Sequence, residues 1–407
     1  MTDKALLMQR YAEVAVRVGI NLQEGQYVLI QAKLEHTPLV RALAEACYRA
    51  GARYVTVIYH DDHVRRSMIS HVGDDELSWT PPHLLAAMRH LEDTGGARIT
   101  VTGDAEPSLL SDLDPARVGK SKMRELAHLN MGQVNRRSVS WTIVACPNEG
   151  WAETVFGEPD VDRLWDAVAR ATRLHEADPV AAWQEHIARL AQRVDAMNSH
   201  GFDLLHYQGE GTDLTIGLHA DGRWVSGDFT TASGIRHVPN LPTEEVFSTP
   251  DFRRVEGTVS ATRPLQLSAE GVTVKDLRVT FEEGRAVKVE ASTGGEVVEA
   301  QMAIDEGAAR LGEVALVDRA SAVGATGVTF NNTLFDENAS AHVAYGAAYT
   351  FCVEGVEGLS PDQLVARGIN HSTVHTDFMI GGPGVTITGV TKEGERIPIV
   401  QDDTWQL

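Results

Sequence analysis

The chain has 407 residues, 43% of them hydrophobic and 23% charged, which excludes a small single module, a disordered chain and a fibrous repeat. Its 57 acidic residues against 36 basic ones leave a formal net charge of −21, so nucleic-acid phosphates and anionic membranes would be repelled and neither is expected as a partner. Three dispersed cysteines, Cys47, Cys146 and Cys352, suit a reducing compartment and are too few for a disulfide framework.

Residues 1–20 intersperse Asp3, Lys4, Gln9, Arg10 and Glu13 among apolar positions, unlike a secretory signal. No apolar run approaches the ~20 residues of a membrane span. A cytoplasmic protein is expected. Residues 27–31 then form a short apolar run, followed by a helical pattern over 38–49, Gly51 as a stop and a second run over 54–59. This is a βαβ signature. A strand over 98–102, a helical stretch near 112–126 and a strand over 138–146 continue it, so the first part of the chain reads as an α/β domain with a largely parallel sheet.

Apolar positions recur at helical spacing from 161 to about 197, broken by Pro179, which predicts a helical connector. After Gly201 the texture changes. Short strands over 204–207, 214–218, 255–259 and 277–281 alternate with Gly, Asp and Asn turns, a helix is expected over 299–311 and another from Ala339 onward. Two domains follow from this reading: residues 1–200, the α/β domain with its connector, and 201–407, a strand-rich α+β domain that carries the chemistry.

Several common signatures fail. Gly119-Lys120-Ser121 resembles the end of a phosphate loop, but the motif's first glycine is Asp114 here; no GxGxxG, HExxH or GxSxG pattern occurs. His60-Asp61-Asp62-His63 has metal-ligand residue types at the end of a strand, and four consecutive polar residues in a loop are more simply solvated. The informative segments lie in the C-terminal half. They are NLPTEEVF at 240–247, LGEVALV at 311–317, NTLFDENASAH at 332–342 and NHSTVHTDFMIG at 370–381, each setting carboxylates or histidines among apolar neighbours. On an extended chain His375 and Asp377 share one face. On the helix expected from Ala339, His342 and Tyr349 share another, with Asp336, Glu337 and Asn338 at its amino-terminal end. Taken singly, Asp336 or Glu337 reads as a helix cap, His342 as a half-buried histidine and Glu313 as a surface carboxylate. Together they would need cations to make their burial tolerable.

At these segments the sequence closely resembles the thermophilic-type metalloaminopeptidase family, with LFDENAS followed by HxDFMIG as its most specific stretch and Gly211-Thr212-Asp213-Leu214 and Trp151-Ala152 as further landmarks. The resemblance spans essentially the whole chain. It implies removal of the amino-terminal residue from short peptides at a pair of divalent metal ions held by Glu245, Glu313, Glu337, His342, His375 and Asp377. Glu245 is preferred to the adjacent Glu244. Glu313 would bridge the metals or act as general base, Tyr349 would be a catalytic side chain, and a homodimer is expected. Four carboxylates and two imidazoles, without thiolate, suit zinc, cobalt or manganese. Two alternatives stand beside this reading. A ring-cleaving dioxygenase with one iron would need only His342, His375 and Asp377, leaving three glutamates unexplained, and a noncatalytic peptide-binding protein would leave the whole set unexplained.

Overall fold

The computed structural model describes residues 3–267 and 270–407. By chain contacts they fall into two units: the first takes in those of Met1–Ile187, Gly227–Thr243 and Ser268–Gly271, the second those of Ala188–Ser226, Glu244–Leu267 and Val272–Leu407.

In the first unit, β1 (Tyr27–Lys33), β2 (Tyr54–His60), β3 (Ala97–Thr102) and β4 (Ser140–Ala145) form one sheet in the order β2-β1-β3-β4, every pairing parallel. Val28, Leu29 and Ile30 are buried in succession, as a parallel strand covered on both faces requires. The helix Thr37–Arg49 returns the chain from β1, burying Leu39, Val40, Leu43 and Cys47 on one face. Gly51, at φ +95°, makes the turn into β2. The α/β reading of this part is borne out.

Where one helical stretch was expected near 112–126, two helices stand, Pro115–Lys120 and Arg124–Arg136. Asp114 explains the first start: its side chain accepts the Ala116 N–H, the ordinary work of an N-cap. Ser121 then closes that helix through Oγ to the Val118 carbonyl. The connector is also two helices, Val161–Ala171 and Pro179–His200. Pro179 starts the second, capped by Asp178, which accepts the N–H groups of Val180 and Ala181. The residues 60–63 are engaged locally. Asp61 caps the helix Asp62–His71, Asp62 pairs with Lys33, and His63 meets Glu106.

The second unit is strand-rich. An eight-stranded sheet runs Arg285–Glu290, Arg278–Glu282, Pro250–Ser260, Thr212–Leu218, Phe202–Gly209, Thr386–Thr391, Arg396–Gln401 and Thr404–Trp405. A second sheet contains β5 (Val225–Ser226), β6 (Val246–Ser248), β7 (Leu311–Leu316), β8 (His342–Gly346) and β9 (His375–Met379), in the order β9-β8-β7-β6-β5 with antiparallel pairings throughout. Every residue of β6, β7 and β8 is buried.

Two expected helices differ from the structure. The one expected over 299–311 is Gly295–Met302. Beyond it Asp305 accepts from Ala308 N, Thr373 N and the hydroxyls of Ser372 and Thr373, side-chain bonds that compete with helix continuation. The helix expected from Ala339 is absent: a turn over Thr333–Asp336 passes into a tighter one over Glu337–Ala339, and β8 begins at His342. The alanine-rich composition yields to pairing on both edges, with β7 on one side and β9 on the other. Consequently His342 and Tyr349 do not share a helix face. His342 opens a central strand, and Tyr349 follows it in a loop beyond Gly346.

Candidate metal centre

Ladder register assembles the centre. Glu313 of β7 stands opposite Ala344 of β8, and Ala344 stands opposite Asp377 of β9, so the two carboxylates flank a methyl group on one face. His342, Ala344 and Gly346 alternate along that same face. His375 is opposite Gly346. Small residues in the middle of β8 thus leave space where the charged side chains of its neighbours converge. Gly346 is required for a further reason: at φ +103°, a Cβ there would lie 2.0 Å from the Val374 carbonyl oxygen.

Two donor groups result, one of Glu245, Glu313 and His342 and one of Glu313, His375 and Asp377, the donor atoms within each lying within 4.8 Å of one another. Glu313 belongs to both. His342 Nε2 is 3.0 Å from Glu245 Oε2, and His375 Nε2 is 3.2 Å from Glu313 Oε2 and 3.6 Å from Asp377 Oδ2. His375 Nδ1 faces the Ala347 carbonyl at 2.8 Å, which assigns the proton to Nδ1 and turns Nε2 toward the carboxylates. The Tyr349 hydroxyl lies 3.4 Å from the same Nε2. Of the six residues the resemblance implies as metal ligands, only Glu337 falls outside the two donor groups. It is buried beside them, close enough for its pKa to be raised by Asp377, Glu245 and Glu313 as well as by burial. Asp336 turns away, accepting the N–H groups of Phe330 and Asn332.

The electrostatics are those of a site short of positive charge. Burial, with Asp377 and Glu245 nearby, pushes Glu313 up to about 7 against the pull of His375. For His375 burial acts downward, but Asp377 and Glu313 together carry it to about 9; His342 is raised well above its usual range, the Glu245 hydrogen bond and surrounding carboxylates outweighing burial. Tyr349 is raised by burial and by the same carboxylates, so its hydroxyl keeps its proton. Asp377 Oδ1 is buried with no hydrogen-bond partner among the described residues. A buried carboxylate oxygen in that position costs free energy unless a cation meets it. Oxygen and nitrogen donors without sulfur fit divalent ions such as zinc, cobalt or manganese.

Residues that sequence reasoning did not assign support these groups. Asn338, fully buried, accepts the Glu244 N–H at 2.7 Å and donates to the Leu334 carbonyl at 3.0 Å and to Glu337 Oε1 at 3.4 Å. It ties the turn before β6 to the Glu337 turn. Thr249 Oγ1 donates to the Tyr349 carbonyl at 2.8 Å. An asparagine beside Glu337 in an apolar stretch was a usable signal for the first; nothing local marks Thr249.

Residues 5–405 match the family model described as Thermophilic metalloprotease (M29). The chain belongs to this family. Aminopeptidase T of Thermus aquaticus is 42% identical over 406 residues, and aminopeptidase AmpS of Bacillus subtilis (strain 168) is 37% identical over 404, each alignment covering 98% of both chains. The solved structure of wild-type AmpT from Thermus thermophilus superposes with a TM-score of 0.89 at 39% identity, covering 98% of this chain and 99% of that one. This member of the thermophilic metalloprotease family is a metalloaminopeptidase that uses divalent metal. No helix among the described residues is long and apolar enough to cross a membrane.

Proposed function

We propose that the enzyme removes the amino-terminal residue from short peptides with a free amino terminus, at two divalent cations held by Glu245, Glu313, Glu337, His342, His375 and Asp377. The observation that carries this reading is the membership of Glu313 in both donor groups, the arrangement a shared bridging carboxylate needs. When bound, such a cation pair supplies Lewis-acid polarisation of the scissile carbonyl and acidification of the attacking water. Glu313 would either bridge the pair or take the proton from that water. Tyr349, protonated and beside His375, donates to the oxyanion as the carbonyl becomes tetrahedral. His375 is held in one orientation by the Ala347 carbonyl. The cation pair would also anchor a free amino terminus, which a blocked peptide does not offer. Zinc, cobalt or manganese, a homodimer and a cytoplasmic setting complete the proposal.

Elemental analysis should approach two metals per chain, and chelation should abolish release of amino-terminal residues from a peptide panel until zinc, cobalt or manganese is restored. Full activity after exhaustive, verified metal removal refutes this reading. A single tightly held iron with oxygen-dependent ring cleavage would point to a dioxygenase instead.

A further inference from the structure

The first unit contains a cavity of about 360 Å³ that shares no residue with the metal centre. Val18, Ile187 and Val238 give it apolar walls, and its polar lining is rich in donors. Arg17 and Arg236 bring two guanidinium groups against one carboxylate, Asp228, so the cavity is locally cationic in a chain of net charge −21. Arg236 Nε donates to Asp228 Oδ2 at 2.5 Å, and a guanidinium carries five N–H donors. Arg17 reaches Glu13 at 3.4 Å on the exposed side of its helix. Asn21 Nδ2 is committed to the Arg236 carbonyl at 2.7 Å, which fixes the backbone at the rim.

The deciding group is His237. It is 2% exposed and lines the cavity, yet neither ring nitrogen has a hydrogen-bond partner among the described residues. Its ring packs edge-on against Phe229, with centroids 6.1 Å apart. Burial pushes its pKa down to about 4 against the opposing influence of an Ile235 backbone group and of Asp228, so at neutral pH the ring is uncharged, with one N–H donor and one acceptor nitrogen. An imidazole buried without either bond is destabilising unless something in the cavity satisfies it. Two guanidinium groups match the planar oxygens of an anion bidentately, while the valine and isoleucine walls call for a carbon body. The volume suits a molecule of amino-acid size.

We propose that the cavity lined by Arg17, Arg236 and His237 binds a small organic carboxylate with an apolar body. The guanidinium groups hold the carboxylate, His237 bonds to the ligand's polar atoms, and Val18, Ile187 and Val238 enclose its side chain. N-acetylleucine is a suitable probe, because its blocked amine makes it a poor ligand for a site that recognises a free amino terminus.

Isothermal titration of the metal-loaded enzyme with N-acetylleucine should show saturable binding, weakened at least tenfold by His237→Phe, which keeps an aromatic ring but removes both nitrogens. Arg17→Gln, on an exposed side chain, should weaken binding similarly with an unchanged unfolding midpoint, and it stands as the test if His237→Phe fails to fold. Leucinamide, lacking the carboxylate, and inorganic phosphate, lacking the carbon body, should not compete. Absence of saturable binding overturns the proposal, leaving a solvated cavity. So does unaltered binding in both variants, which would place the acid elsewhere, or phosphate binding as tightly as the acid, which would make this a simple anion site.

Discussion

Glu313 and His375 meet at 3.2 Å although a whole strand separates the strands that carry them. They can meet because β8 presents Ala344 and Gly346 at the crossing, residues too small to fill the space between their neighbours. That relationship makes Glu313 common to both donor groups. Replacing it by glutamine keeps the shape and removes the charge that two cations would share. Glu313→Gln is expected to lower bound metal below that of the parent and to reduce kcat by roughly 10²-fold or more. Metal content and turnover near parental values would remove Glu313 from the centre.

Tyr349 has a separable role. If its hydroxyl stabilises the oxyanion without holding metal, Tyr349→Phe should retain parental metal content while kcat falls about 10²-fold, or about 2.7 kcal/mol of transition-state stabilisation, with KM little changed. Near-normal kcat in a folded variant would make the tyrosine a packing residue of the aromatic group it forms with Phe247 and Phe351.

Asn338 joins the segment before β6 to the Glu337 turn through three hydrogen bonds. Asn338→Ala leaves the Glu244 N–H and the Leu334 carbonyl without that partner, a loss of about 1–3 kcal/mol in stability. Metal affinity should fall by roughly 10- to 100-fold, as is usual when the support of a ligand is removed. Calorimetric unfolding and a chelator competition read the two effects independently. An unchanged metal affinity in the destabilised variant would confine Asn338 to the fold.

The metal-free enzyme should lose stability as pH rises. In the folded chain Glu313 is raised from 4.5 to about 7 and His375 from 6.5 to about 9, so in both cases the folded state holds a proton that the unfolded state has released. The contribution is fully present below the unfolded values and is lost as pH climbs, from 4.5 to about 7 for Glu313 and from 6.5 to about 9 for His375. Bound cations replace those protons, so the metal-loaded enzyme should show a flatter profile and metal affinity should rise over the same range. Unfolding midpoints of the chelated protein between pH 5 and 9 check this; a flat or rising series would contradict it.

Periodicity and punctuation made much of this protein legible in its sequence. The βαβ beginning, the division of the connector at Pro179 and the common face of His375 and Asp377 all follow from local rules: a repeat near 3.6 or 2, a ring that cannot donate, alternation along an extended chain. The ligand-type residues could be named for the same reason, because charged side chains stand out in apolar segments. Only the tertiary structure decided how they meet. Residues after Ala339 have the composition of a helix, yet His342 pairs with Ala315 on one side and Met379 on the other, and two ladders that bury every residue of the strand outweigh a propensity worth at most ~1 kcal/mol per residue. Glu313 and Asp377 face each other across Ala344 because of register between strands far apart in the chain. No local pattern encodes that register; it is set when the sheet forms and its small central residues leave room for the charges beside them.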